Sequence, residues 1–354
     1  MTKSEALMHR TPCRFSRTEF GTTHHNSKGG ETMRKTSAIL FACMVVFGIV
    51  LVNPAVAQEK YPKDPITIVV PYAPGGSHDL VARTLQPHLE KLLGVSVLVE
   101  NKPGGGSTIA CNFVKAAPPN GYTLVTVTPT LSIIKYTLPE SNVTFDQFEP
   151  IAYVGYSPQG VFTRMDAPWN TLKELLDYAK ANPGKIKCGN AGHGGNFHMG
   201  AVGIEQATGV KFTHIPFKGA APAVPAVMGG HVDIIVSTLA DTLHMVKGGS
   251  LKVLGLAAPE RNKFAPDAQT FKELGYDIEF STYWSYLGPK GMPKDRVKIL
   301  YDAFKKSTET KEVKEFFDMQ GAVLSLKNPE ELGEYYKKED VKWGRLIKEG
   351  GLMP

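Results

Sequence analysis

The chain has 354 residues, 42% of them hydrophobic and 21% charged, an ordinary globular composition with room for one large or two medium domains. Its formal charge of +6 is concentrated at the start: beyond residue 57 there are 33 basic and 31 acidic residues. No stripe of Lys/Arg interleaved with aromatics remains there, so a nucleic-acid partner is not expected.

In chain order, the first readable element begins at Met33. Arg34 and Lys35 form a short positive region, Ser37–Val52 carries no charge, and Ala55-Val56-Ala57 is a small-x-small site before Gln58. This predicts a secretory signal peptide cleaved after Ala57, and export to the periplasm. The uncharged run is short for a membrane span and ends in a cleavage pattern, which argues against an anchor. Residues 1–32 lie upstream of that signal, so translation is expected to start at Met33. Of the four cysteines, Cys111 and Cys188 remain after cleavage and are expected to be free, buried thiols.

After Gln58, strand and helix patterns alternate. Strands are expected at 66–70, 96–100, 123–127, 151–154, 160–164, 187–190, 211–215, 232–237, 252–257 and 281–288. Helical periodicity falls at 79–92, 107–116, 172–181, 197–208, 223–228, 239–247, 294–307, 311–320 and 329–349. Strands alternating with single helices imply an α/β fold with parallel sheets covered on both faces. Breaks at Arg164–Leu175 and ahead of Thr282 suggest two crossings between lobes. Residues 58–164 plus 282–354 would form one lobe and 165–281 the other, hinged around a cleft suited to a small ligand.

Three glycine loops connect strands to helices: "APGGSHD" at Ala73–Asp79, "ENKPGGGSTIA" at Glu100–Ala110 and "CGNAGHGGNFHMG" at Cys188–Gly200. Each offers open backbone N–H groups at the carboxyl end of a strand, where α/β sheets bind anions. In the second loop the glycines already account for the turn, and it is read as one. The first and third carry groups beyond what turning requires: Ser77, His193, Asn196 and His198. Gly75 and Gly76 are expected to let backbone approach a ligand without a Cβ clash. Asp79, which would repel an anion, is expected to cap and shape the loop, and Arg83 to brace the lobe or pair with Asp79 or Glu100. Lys218 is read either as the neutraliser of a second carboxylate or as a solvated side chain.

Several chemistries find no pattern. There is no Gly-x-Gly-x-x-Gly after a strand, no Walker sequence, no Gly-x-Ser-x-Gly elbow and no His-x-x-x-His zinc helix among the seven histidines after residue 57. Asp79, Asp233 and Asp241 lack a spacing that singles out an acid–base pair. No catalytic residue, metal or cofactor is expected, and the chain is not read as an enzyme.

Several segments together resemble a known family. "YPKDPITIVVPYAPGGSHDLVAR", "VENKPGGGSTIA", "PPNGYTL", "NPGKIKCGNAGHGGNFHM", "HIPFKGAAPAV", "MGGHVDI" and "WSYLGPKGMP" are similar, in this order, to the hallmark segments of Bug-type periplasmic receptors of tripartite tricarboxylate transporters. The resemblance spans about 61–354. It implies a two-lobed, type II-like Venus-flytrap fold that holds a small organic carboxylate and delivers it, as a monomer, to a two-component membrane permease. Presentation of the liganded form to a periplasmic sensor kinase is the alternative. The implied binding set is Tyr72, Ala73, Gly75, Gly76, Ser77 and Asp79 from the first loop, and Asn190, Gly192, His193, Gly194, Asn196 and His198 from the third. Lys218 and Gly219 of the "PFKG" segment and Thr238 complete it. Cys111 and Cys188 depart from the family pattern, and the variability of its loop positions leaves the particular ligand open.

Overall fold

One strand, β4, carries the architecture. In the computed structural model, which describes Gly21 and residues 60–349, β4 runs through 17 residues, Phe148–Arg164. The expected signal peptide and its cleavage site lie outside the described residues.

Ahead of β4 come β1 (Ile66–Val70), α1 (Ser77–Leu93), β2 (Val97–Asn101), α2 (Thr108–Lys115), β3 (Thr123–Val127) and α3 (Thr130–Thr137). After it follow α4 (Leu172–Ala181), β5 (Lys187–Ala191), α5 (Asn196–Thr208), β6 (Thr213–Phe217), α6 (Ala220–Met228), β7 (Ile234–Thr238), α7 (Leu239–Lys247) and β8 (Leu251–Leu256). The chain then returns through β9 (Ser281–Pro289), α8 (Lys294–Thr308), α9 (Lys311–Met319), β10 (Val323–Lys327) and α10 (Pro329–Glu349).

The strand order is β2-β1-β3-β9-β4-β7-β5-β6, with β8 and β10 also paired to β4. Two parallel sets, β2-β1-β3 and β7-β5-β6, flank a pair of antiparallel connectors. β9 pairs with β4 from Phe148 to Pro158, whereas β7 takes over at Gln159 and β8 at Gly160. The sheets are therefore mixed rather than purely parallel, because the strands that pass between the sets must run against each other.

The polar stretch Tyr156-Ser157-Pro158-Gln159 read as a break between two strands. It is continuous strand because the ladder changes partners there. Pro158 has no N–H to offer, and it sits at the handover. Gln159 resumes pairing by donating its N–H to Phe280 O at 2.9 Å and accepting from Ala257 N–H at 2.8 Å.

Two elements were not legible locally. In α3, "TLSIIKYT", β-branched residues that lower helix propensity dominate. Burial of Thr130 through Ile134 outweighs that preference. β10 is half-exposed along its length and acquires its identity by pairing with Tyr153–Tyr156 of β4.

The core follows the same division. Ile66, Ile68, Leu85, Tyr286 and Phe304 pack on the β1 side, while Leu175, Cys188, Met199, Ile234 and Phe271 pack on the β5 side. Helix α10 serves both. Leu332 and Tyr336 join Val127, Leu131 and Tyr283, whereas Trp343 and Ile347 join the cluster of Met199 and Phe280. Cys111 and Cys188 are free and buried, and burial pushes both thiols up to about 12.

Trp343 is fully buried, stacks on Phe280 at 5.5 Å and donates its indole N–H to Glu339 Oε2 at 2.9 Å. Trp343→Ala is expected to destabilise the fold by about 3–5 kcal/mol. Denaturant unfolding of both proteins measures it; a loss below about 1 kcal/mol would show that α10 is not a packing element of the second cluster.

Candidate functional site

The carboxyl ends of β1, β2, β5, β6 and β7 bring their loops together. The β1–α1 loop is shaped by Asp79. Its Oδ2 accepts from Gly75 N–H at 2.9 Å, and its Oδ1 from Arg83 Nε at 2.9 Å and Asn101 Nδ2 at 3.0 Å. Burial alone would raise this carboxyl, but the bonds from Arg83, Gly75 and Asn101 outweigh it and hold Asp79 below its ordinary value. Arg83 therefore braces the loop through Asp79.

Gly75 has φ +88, a conformation that suits glycine. Gly76 does not need to be glycine. It is extended at φ −81, and a Cβ there meets nothing nearer than 3.8 Å. A close backbone approach occurs at Gly219, where a Cβ would lie 3.3 Å from Ala73 N. Here Ala73 N–H donates to Lys218 O at 3.1 Å.

Helix α1 begins at Ser77, two residues earlier than expected, and its first amide already has an anionic partner. Ser77 N–H donates to Asp241 Oδ1 at 2.8 Å. Asp241 is 8% exposed, and its Oδ2 accepts from Thr238 Oγ1 at 2.7 Å and Ser237 Oγ at 3.2 Å. In return Thr238 Oγ1 accepts from Asp241 N–H at 3.3 Å and caps α7. The sequence reading missed Asp241. The signal was the Thr-x-x-Asp capping pattern at Thr238, which marks a carboxylate in the first turn of a helix.

The β5–α5 loop is pinned from both sides. Gly192 N–H donates to Phe217 O at 2.8 Å, and Gly194 O accepts from Thr137 Oγ1 at 3.0 Å. Asn196 donates its backbone N–H to Thr130 Oγ1 at 3.0 Å and its Nδ2 to Thr282 Oγ1 at 2.6 Å. These contacts make Asn196 a tie between α5, α3 and β9.

A cavity of about 310 Å³ opens between these loops. Tyr72, Gly192, His193 and Lys218 line it, together with Gly104–Ser107 of the second glycine loop, Leu138 and Phe217. The second loop is thus more than a turn: its glycines form cavity wall, and a Cβ on Gly106 would come within 2.9 Å of His193 O. Ser107 Oγ donates to the buried Tyr72 hydroxyl at 3.4 Å. No Asp or Glu lines this cavity. A smaller space of about 10 Å³, enough for one water, lies between Gly76, Ser77, His78, Phe197 and Asp241.

Of the expected binding residues, the structure brings Tyr72, Gly192, His193 and Lys218 to the larger space and Tyr72, Gly76 and Ser77 to the smaller. Ala73, Gly75, Asp79, Gly194, Asn196, Gly219 and Thr238 lie in the hydrogen-bonded frame around them. Asn190 and His198 stand behind the wall, near His214.

His78 was not singled out. It is 3% exposed, its Nδ1 is 3.4 Å from Thr126 Oγ1, and its Nε2 has no partner within the protein. Burial lowers it from 6.5 to about 3, so the ring is neutral. Among the described residues, no group of three or more His, Cys, Asp or Glu is placed to hold a metal, and no helix is long and apolar enough to cross a membrane.

Residues 81–352 match the model of the tripartite tricarboxylate transporter family receptor. The chain belongs to this receptor family. The UPF0065 protein in the gbd 5' region of Cupriavidus necator is 33% identical over 307 residues, covering 84% of this chain and 91% of that protein. The structure of the periplasmic binding protein BugD superposes with a TM-score of 0.80 at 33% identity, covering 83% of this chain and 99% of its own. MatC from Rhodopseudomonas palustris, solved with bound malate, has a TM-score of 0.77 at 26% identity over 81% of this chain and all of its own. The fold is accordingly the two-lobed α/β architecture of periplasmic binding proteins, and the chain is a solute-binding receptor.

His78 links stability to pH. The unfolded chain binds its proton below about 6.5, whereas the folded chain resists it down to about 3. Stability is therefore present above 6.5 and is lost as the pH falls through that window, by about 1.4 kcal/mol per unit from this group. His78→Leu is expected to flatten the stability–pH curve between about pH 6 and pH 4, measured by chemical unfolding. An unchanged slope would mean that His78 protonates in the folded state.

Proposed function

We propose that the chain is exported by cleavage after Ala57, captures a small organic carboxylate in the periplasm and passes it unchanged to a two-component membrane permease. One observation carries the ligand class. The 310 Å³ cavity is walled by glycine-loop backbone at Gly104–Ser107 and Gly192, has Lys218 and His193 on its rim, and has no carboxylate among its lining residues. The second glycine loop presents the positive end of α2 to a carboxylate, and Lys218 on the rim adds long-range attraction. The volume is at the small end for ligand sites and suits a small acid. The malate bound by MatC, a relative of similar fold, is a ligand of this kind.

In this reading the lobe boundaries move from the expected 164 and 282 to the partner exchange of Pro158–Gln159 and to Phe280–Ser281, which the pairing of Gln159–Arg164 with β7 and β8 supports. Closure would then be a change at two strand crossings, with the loops of β1 and β2 facing those of β5, β6 and β7.

The test is a thermal-shift and calorimetric screen of the purified receptor against malate, succinate, glutarate and adipate. A true ligand at about 100 times its Kd should add about 2.7 kcal/mol of stability. Small amines of the same length should add none. Absence of any stabilising carboxylate would defeat the reading.

Two further measurements check its parts. Intact mass of the exported protein should correspond to a chain beginning at Gln58; retention of residues 33–57 would overturn processing. Small-angle scattering should show a smaller radius of gyration with a saturating ligand, and unchanged scattering would count against hinge closure.

A further inference from the structure

Behind the cavity wall, three imidazoles stand in a row. The ring of His193 lies 5.0 Å from that of His198, which lies 4.6 Å from the edge-on ring of His214. His214 Nε2 is 3.3 Å from Glu205 Oε2, and the 6%-exposed Glu205 also accepts from Phe212 N–H at 2.5 Å. Of this row, His193 alone lines the cavity. The row therefore runs from the cavity rim to a buried carboxylate.

Asn190 packs against the far end of the row. Its Nδ2 lies 3.3 Å from His214 Nδ1, while its Oδ1 is buried without a partner in the protein. His214 Nε2 donates to Glu205 Oε2, and its Nδ1 is left to the Asn190 amide. His198 stays neutral between the two other rings. Burial first, then the neighbouring His214 and His193, lower it to about 4, and its Nδ1 accepts from Gly194 N–H at 3.0 Å. The proton of His198 is thus on Nε2, and no second cation abuts His193 on its own side.

We propose that His193 is the specificity-determining residue of the cleft: with Lys218 it receives a second anionic group of the ligand, and it takes up a proton as that group arrives. The proposal rests on the carboxylate-receptor reading above. The groups around His193 permit it. Tyr72 and Lys218 line the same cavity, His198 lies beside it, and His214 and Glu205, with Lys211 near the latter, follow behind. The remaining walls, Gly104–Ser107 and Leu138, carry nothing titratable. Imidazole changes charge in the physiological range, and a nearby anion favours its charged form. Binding of a two-ended acid therefore strengthens as the pH falls through that range and weakens as it rises.

Calorimetry on the purified receptor tests this with succinate, glutarate and adipate, each against its monomethyl ester, near pH 6 and pH 8. Running each in two buffers of different ionisation enthalpy counts the protons taken up. The best diacid should bind about tenfold more tightly than its ester near pH 6, with a several-fold smaller gap near pH 8. Proton uptake should accompany the diacid only. His193→Gln should abolish the uptake and bring the diacid towards the ester at both pH values. Lys218→Met should narrow the gap while leaving the uptake in place. Diacid and ester binding alike, or uptake that survives in His193→Gln, overturns the role of His193 while leaving the receptor reading intact. Failure of every acid and ester to bind defeats that reading and the proposal with it.

Discussion

Everything in this molecule is arranged around the sharing of one strand. β4 gives its first part to β9 and β10 and its last part to β7 and β8, so each strand set is completed by the same backbone. Only a handful of residues near Pro158, Gln159, Ala257 and Phe280 make the change of partners. A place where ladder bonds are exchanged rather than continued is where a chain bends at least cost. The glycine loops belong to the parallel strands on either side, and the antiparallel connectors turn the carboxyl ends of those strands towards one another.

The contact between Ser77 and Asp241 crosses that division. A helix N-terminus with open amides attracts an anion, and here the chain supplies one from α7. Asp241 is held by Thr238 and Ser237 on its own side, so its reach to Ser77 is pre-set rather than induced. Together with the Ala73–Lys218 backbone bond it joins the β1–α1 loop to elements beyond β4. The larger cavity beside it is left without an acidic side chain, which is the electrostatic condition a carboxylate ligand needs.

The two histidine environments differ for a physical reason. His78 is enclosed by Tyr72 and Trp284, at ring distances of 5.0 and 6.0 Å, and is neutral because nothing charged compensates it. His214 has a carboxylate and an amide on opposite ring nitrogens. Ring type alone therefore predicts neither; the partners of each nitrogen do.

Local sequence determined much of this protein. The periodicity of α4, α7 and α10 and the apolar runs of β1 and β3 set those elements to the residue. The loop-shaping role of Asp79 and the bracing by Arg83 also follow from a carboxylate at a helix start with a cation one turn on. The family resemblance rests on such local segments. What only the tertiary structure decided are features whose partners are remote. β4 is one strand because β9 and β7 meet it end to end, and α3 is a helix because its β-branched residues are buried. Gly104–Ser107 are cavity wall because the third loop faces them. Asp241 lies 164 residues from the amide it satisfies, and His193 is joined to Glu205 only through two other rings. Periodicity records which face of an element is apolar; it carries no record of which distant atom that element will meet.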